Sequence, residues 1–194
     1  MRLPNRFWEA SIDKVNDGPH LRYIKRYLSR IDQVRARGYI AMLWGENGVG
    51  KTAIASLLLK EARRRGYTGL FLTMQEYMVA YHAHTMFDDT HTIESRCKTV
   101  DFLVIDDLGK EAVNQSEKRT GSVVMARVFE ELMRYRHARL LPTIITANVT
   151  PEEFREQYTT SLLSLLKEDA ISIKVVGPSH RERNQQKVIQ FFTD

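Results

Sequence analysis

The sequence predicts an α/β fold, with a mostly parallel five-stranded sheet between helices, and three observations carry that prediction. Short apolar runs alternate with stretches of helical periodicity along most of the chain. One such run passes through a glycine-rich turn directly into a helix, and another ends in two adjacent aspartates. Runs that are apolar without alternation suit strands buried on both faces, which is the condition of a parallel sheet.

Residues 1–19 form a short N-terminal segment ahead of the first periodic stretch. In residues 20–37, Ile24, Leu28, Ile31 and Val34 recur at helical spacing and Gly38 follows the last turn, the pattern of an amphipathic helix with a C′ glycine. The first strand spans 39–44. A helix then runs from Lys51 to Arg65 and is closed by Gly66, and 70–73 form the second strand. Residues 74–84 read as a short helix. The stretch from His82 to His91, with His84, Asp88 and Asp89, gathers metal-ligating side chains, but its spacing matches no closed site and polar loops collect such residues.

The third strand, 102–105, delivers Asp106 and Asp107 at its C-terminal edge, and a polar segment over 109–120 follows. Residues 121–138 place Val124, Val128, Leu132 and Tyr135 on one helical face. A fourth buried strand covers 142–148 and ends at Asn148. Thr150, Pro151 and Glu153 form a capping-box helix start with proline at N1. A further helix over 160–168 precedes the last strand, 171–176, and a basic polar tail closes the chain at 181–194.

With 194 residues the chain supports one substantial core, and 43% hydrophobic with 27% charged residues is ordinary for a soluble globular protein. No stretch is long and apolar enough for a membrane span, and the first residues lack the apolar run of a signal peptide. The one cysteine, Cys97, excludes an intramolecular disulfide and suits a reducing, cytoplasmic interior, where it packs or sits near a surface rather than reacts. A net charge of +5 suits an anionic polymer as partner. The basic clusters at 22–26, 63–65, 118–119, 134–139 and 181–183 fit phosphate contacts, although for each taken alone a solvated helix face or helix C-terminus is the better reading.

The glycine-rich turn, Gly45, Glu46, Asn47, Gly48, Val49, Gly50, Lys51 and Thr52, fits G-x-x-x-x-G-K-[ST]. Its glycines permit backbone conformations in which successive N–H groups, through to Ala53, converge on an anion at a helix N-terminus. Lys51 is placed to reach β- and γ-phosphates, and Thr52 to ligate Mg²⁺. A tight strand-to-helix connection is the plainer alternative. Asp106 is the candidate to hold Mg²⁺ through its water shell, and Asp107 to orient or deprotonate the water that attacks the γ-phosphate. Asp-Asp-Leu-Gly is also ordinary turn composition. Asn148, at another strand end, has an amide able to bond both the γ-phosphate and that water, or to cap the next turn.

Together with Arg6 to Ile12, Tyr135-Arg136, the run from Leu141 to Asn148 and the stretch from Gly177 to Arg181, these motifs resemble the AAA+ ATPase domain of DnaC/DnaI-type replicative helicase loaders and the related IstB transposition ATPases. The resemblance covers almost the whole chain and implies a P-loop NTPase core over 20–180 with no separate C-terminal lid. It further implies ATP and Mg²⁺ as cofactors, Asn148 as sensor 1 and Arg181 in a sensor 2 role. The implied partners are a replicative helicase, single-stranded DNA and further copies of the chain. Two departures stand out. Only about twenty residues precede the first core helix, where loaders carry a helicase-binding domain. The helix before the last strand, where the family places its arginine finger, has no arginine. Lys167 there is a poor substitute for a planar guanidinium, and Arg119, Arg127 and Arg136 are other candidates. Weak ATP hydrolysis in isolation is therefore expected. The competing functions are an IstB-type transposition ATPase on duplex DNA and a nucleotide-sensing interaction protein with little turnover.

Overall fold

The structure, a computed structural model, describes residues 3–86, 93–109 and 118–193. Five strands, β1 (Ile40–Trp44), β2 (Gly69–Thr73), β3 (Phe102–Leu108), β4 (Thr143–Ala147) and β5 (Ala170–Lys174), form one sheet in the order β2-β3-β4-β1-β5. Every neighbouring pair is parallel. The C-terminal ends of β1, β3 and β4 consequently meet at one sheet edge, where α/β folds bind ligands.

Side-chain alternation divides the core between the two faces. From β3, Phe102 and Val104 join α1 (Pro19–Ser29), α2 (Ile31–Arg37) and α3 (Lys51–Arg64) on one side, through Ile24, Ile31, Ile54 and Leu58. Leu103 and Ile105 point the other way, toward α4 (Met74–Met86), α5 (Ile93–Thr99), α6 (Lys118–His137), α7 (Pro151–Gln157) and α8 (Thr160–Asp169). Burying strands on both faces this way selects the unbroken apolar runs seen in the sequence.

Several elements differ from expectation. The first helix is two helices, because the Arg30 backbone departs from helical values and its N–H returns to the Tyr27 carbonyl. Apolar periodicity runs straight across that break, since Ile24 and Ile31 still face the same layer. Helix α5 differs from expectation: it is about two turns long, mostly polar, and sends Ile93 and Cys97 to the core. The expected polar segment, 109–120, lies largely outside the described residues, but α6 already begins at Lys118. Of the His-rich stretch, residues 82–86 belong to α4 and 87–91 fall outside the described residues. The basic tail is a helix, α9 (His180–Thr193), and its far end is apolar and exposed, with Phe191 and Phe192 at 78% and 80%. The capping box of α7 forms as expected, with Thr150 accepting from the Glu153 N–H and the Glu153 carboxylate accepting from the Thr150 N–H.

Arg136, a candidate arginine finger, is excluded from that role because it is completely buried at the N-terminal end of β3 and β4. Its guanidinium donates to Thr143 Oγ1 (2.9 Å) and to the carbonyls of Cys97 (2.7 Å), Val100 (3.0 Å), Pro142 (2.7 Å) and Asp101 (3.3 Å). Every donor is engaged within the fold, so none reaches a neighbouring molecule. Burial pushes this guanidinium down to about 9, still charged at neutral pH. Cys97 is buried beside it, and burial pushes its thiol up to about 12, which makes it a packing residue.

Candidate active site

The loop after β1 is built around three glycines at positive φ, and at Gly45 a side chain would collide with backbone. Gly45 has φ +142°, and a Cβ there would lie 2.3 Å from the Val175 carbonyl oxygen. That approach is forced because the Val175 N–H pairs with the Trp44 carbonyl at 2.8 Å, bringing the residue after β5 against the loop. Gly48, at φ +86°, packs against Ser179, and Gly50, at φ +105°, is the N-cap of α3. Lys51 is buried and donates from Nζ to the carbonyls of Gly45 (2.7 Å) and Glu46 (2.8 Å). Its charge is thereby held at the mouth of the helix N-terminus, where an anion is favoured.

The opposite wall comes from β3 and β4. Their pairing slips between Ile105 and Leu108, opposite Ile145 and Ala147, so that Asp106 and Asp107 form a bulge. Asp107 takes φ +61°, an uncommon conformation for a side chain other than glycine or asparagine. Thr146 holds it there. Its hydroxyl accepts from the Asp107 N–H (2.9 Å) and donates to Asp106 Oδ1 (2.6 Å), using both hydrogen-bonding capacities of one oxygen. The Asn148 amide nitrogen donates to Asp107 Oδ1 at 2.8 Å.

A cleft of about 320 Å³ separates these walls. Asn47, Gly48, Val49, Gly50, Lys51, Thr52, Ala53, Asp107, Asn148 and Arg181 all line it. Gly45, Glu46 and Asp106 do not. The first two supply the carbonyls that hold Lys51, and Asp106, 5% exposed, accepts from the Thr146 hydroxyl. Among the finger candidates, Lys167 is exposed on α8, Arg127 is exposed and paired with Glu131 at 3.3 Å, and the side chain of Arg119 lies outside the described residues.

Four contributors were not identified from the sequence. The N-terminal segment lines the cleft with Phe7, Ala10 and Val15 alongside the polar Arg6, Glu9, Ser11 and Lys14, a mixed wall beside the phosphate loop. Lys60 on α3 fastens that segment by donating to the Trp8 and Ala10 carbonyls. Nothing in a surface lysine announces such a long-range contact. Thr146 reads as strand filler until the bulge gives its hydroxyl two partners. His180 reaches the cleft from the start of α9, where its N–H donates to the Gly48 carbonyl at 2.9 Å.

A strand, a glycine loop over a helix N-terminus, a buried lysine and paired aspartates on a neighbouring parallel strand define a P-loop nucleotide-binding domain of the AAA+ class. The chain belongs to the IstB-like ATP binding protein family, which it matches over residues 15–188. It is 27% identical over 122 residues to the replicative helicase loader DnaI of Bacillus subtilis (strain 168), a match covering 61% of this chain and 36% of DnaI. The chain thus spans about a third of the length of that curated relative. In fold it is similar to the DnaC helicase loader, with a TM-score of 0.74 at 21% identity over 89% of this chain and 100% of that one. It is also similar to the replication initiator DnaA bound to AMPPCP and single-stranded DNA, with a TM-score of 0.68 at 16% identity over 97% of this chain and 56% of that one. Among the described residues, no helix is long and apolar enough to cross a membrane.

The residues fit a magnesium nucleotide. Gly48 and Gly50, both at positive φ, line the cleft beside Lys51, and Thr52, Asp106 and Asp107 offer only hard oxygen donors, which Mg²⁺ prefers.

Proposed function

We propose that this chain binds ATP with Mg²⁺ in the cleft and uses it to load or remodel a replicative helicase on single-stranded DNA. The observation that carries the reading is convergence: phosphate loop, Asp107, Asn148 and Arg181 line one cleft although they come from four separate parts of the chain. In this reading Lys51 leaves the loop carbonyls for the β/γ-phosphates, and Thr52 with Asp106 holds Mg²⁺, which would neutralise phosphate charge. Asp107, fixed by Thr146 and Asn148, accepts a proton from or orients the attacking water. Arg181 sits at the start of α9 to meet the terminal phosphate. The helicase and single-stranded DNA enter from the names of the relatives, DnaI and DnaC as loaders and DnaA with its bound strand.

Hydrolysis in isolation is slow in this account. Helix α8 offers no arginine to a neighbouring copy, and Arg136 is consumed internally. ATP then acts chiefly as a switch that orders subunit contacts, and hydrolysis resets it. The test is binding to a replicative helicase and to single-stranded DNA with and without ATP. ATP-dependent binding of both is expected, and absence of either in saturating ATP contradicts the proposal.

Membership of the IstB-like family favours a second reading, assembly on duplex DNA to recruit a transposase. Preference for duplex over single strands, with filaments in ATP, would decide for it.

A further inference from the structure

The faces of the phosphate loop turned away from the cleft are themselves hydrogen-bonded. Asn16 donates from its amide nitrogen to the Val49 carbonyl at 3.2 Å, and the His180 N–H donates to the Gly48 carbonyl at 2.9 Å. In a trans peptide the carbonyl and the following N–H point in opposite directions. Holding the Val49 oxygen behind the loop therefore aims the Gly50 N–H forward, and holding the Gly48 oxygen aims the Val49 N–H the same way. Both residues line the cleft.

Asn16 makes a second contact that the loop alone does not need. The same amide nitrogen donates to the Pro178 carbonyl, also at 3.2 Å, so its two hydrogens serve two acceptors that lie far apart in sequence. Asn16 is buried and closely enclosed: a Cβ on Gly177 would fall 2.6 Å from its nitrogen. Pro178 leads directly into α9, which brings His180 and Arg181 to the cleft and ends in exposed Val188, Ile189, Phe191 and Phe192.

We propose that Asn16 is a positioning residue that sets the Val49 to Gly50 peptide plane for phosphate and ties it to the root of α9, so that nucleotide in the loop orders α9 as well. The inference rests on the nucleotide reading of the cleft. An amide is suited to the task because it presents two donors from one rigid plane. An aspartate of the same shape would set acceptors against both carbonyls.

Hydrogen–deuterium exchange of the full chain, titrated with ATP and Mg²⁺, tests it. In the wild-type protein nucleotide slows exchange in both 45–52 and 178–186. In Asn16→Ala the loop gains protection only at about tenfold higher nucleotide, the scale of one lost hydrogen bond to an exacting site, and the response of 178–186 falls relative to that of 45–52. Asn16→Asp does the same more severely. Unchanged responses in Asn16→Ala overturn the proposal, as does a uniform loss of protection over the whole domain, which would make Asn16 merely structural. An Asp variant milder than the Ala variant overturns the donor argument. Wild-type protein with no nucleotide-dependent protection at 45–52 contradicts the nucleotide reading itself, and this inference with it.

Discussion

The two ends of β3 and β4 each carry a polar cluster, and they are built to opposite purposes. At the N-terminal end the Arg136 guanidinium is enclosed and all its donors meet carbonyls or a hydroxyl of the fold. At the C-terminal end Asp106 is similarly covered, but Asp107 is turned by a bulge onto a cleft, in a backbone conformation with a cost. A charge satisfied internally is structural, whereas charges gathered around an open cleft await a ligand. The same strands thus enclose a satisfied charge at one edge and present charge to a cleft at the other.

The largest expected effect is at the closed end. Arg136→Ala should cost about 3–5 kcal/mol in urea unfolding, because it strands several buried carbonyls at once. Folded Arg136→Ala protein should still bind nucleotide as the wild type does. Impaired binding without lost stability would mean the two clusters are not separable. Asp107→Asn probes the open end. Phosphate release should fall about 10²- to 10⁴-fold while nucleotide affinity and melting temperature hold, and turnover at the wild-type rate would remove Asp107 from the reaction.

Thr146→Val addresses the link between the two aspartates. It keeps the shape but orphans the Asp107 N–H, which should lower stability by about 1–3 kcal/mol and turnover with it. A loss of stability alone would show that the bulge persists without its hydroxyl. The smallest effect is pH-dependent and belongs to the closed end. Burial raises the Asp101 carboxyl, but hydrogen bonds from Thr68 and Arg35 outweigh it and hold the group below its ordinary 3.8. A carboxylate depressed in the folded state stabilises above its unfolded value and ceases to do so as pH falls through the folded one. The melting-temperature gap between wild type and Asp101→Asn should therefore be steady from neutral pH to about 4 and close below that. A gap that widens in acid would reverse the assignment.

Much of the open end was legible because its chemistry is local in sequence. Residues 45–52 are contiguous, Asp106 and Asp107 end an apolar run, and Asn148 ends another. Strand existence was equally readable, since burial on both faces leaves unbroken apolar runs. What escaped depends on contacts distant along the chain. Arg136 reads as part of the basic cluster 134–139 and as a candidate arginine finger, and only the fold shows its guanidinium enclosed between α5 and β4. The N-terminal segment lacks periodicity and is held by Lys60 on α3, so its place in the cleft could not be inferred from its own residues. The break at Arg30 and the bulge at Asp107 are departures from regular geometry that periodicity averages away. The apolar end of α9 was hidden by its basic first turn.

The central claim, that the open end is a nucleoside triphosphate site gripped by the phosphate loop, is tested most directly by titrating wild-type and Lys51→Ala protein with fluorescent ATP in the presence of Mg²⁺, alongside their melting curves. The account predicts saturable binding by the wild type and affinity lowered at least about 100-fold in Lys51→Ala, on the scale of a lost charge-assisted contact, with both proteins equally folded. Equal binding by two folded proteins, or none by the wild type, would contradict it.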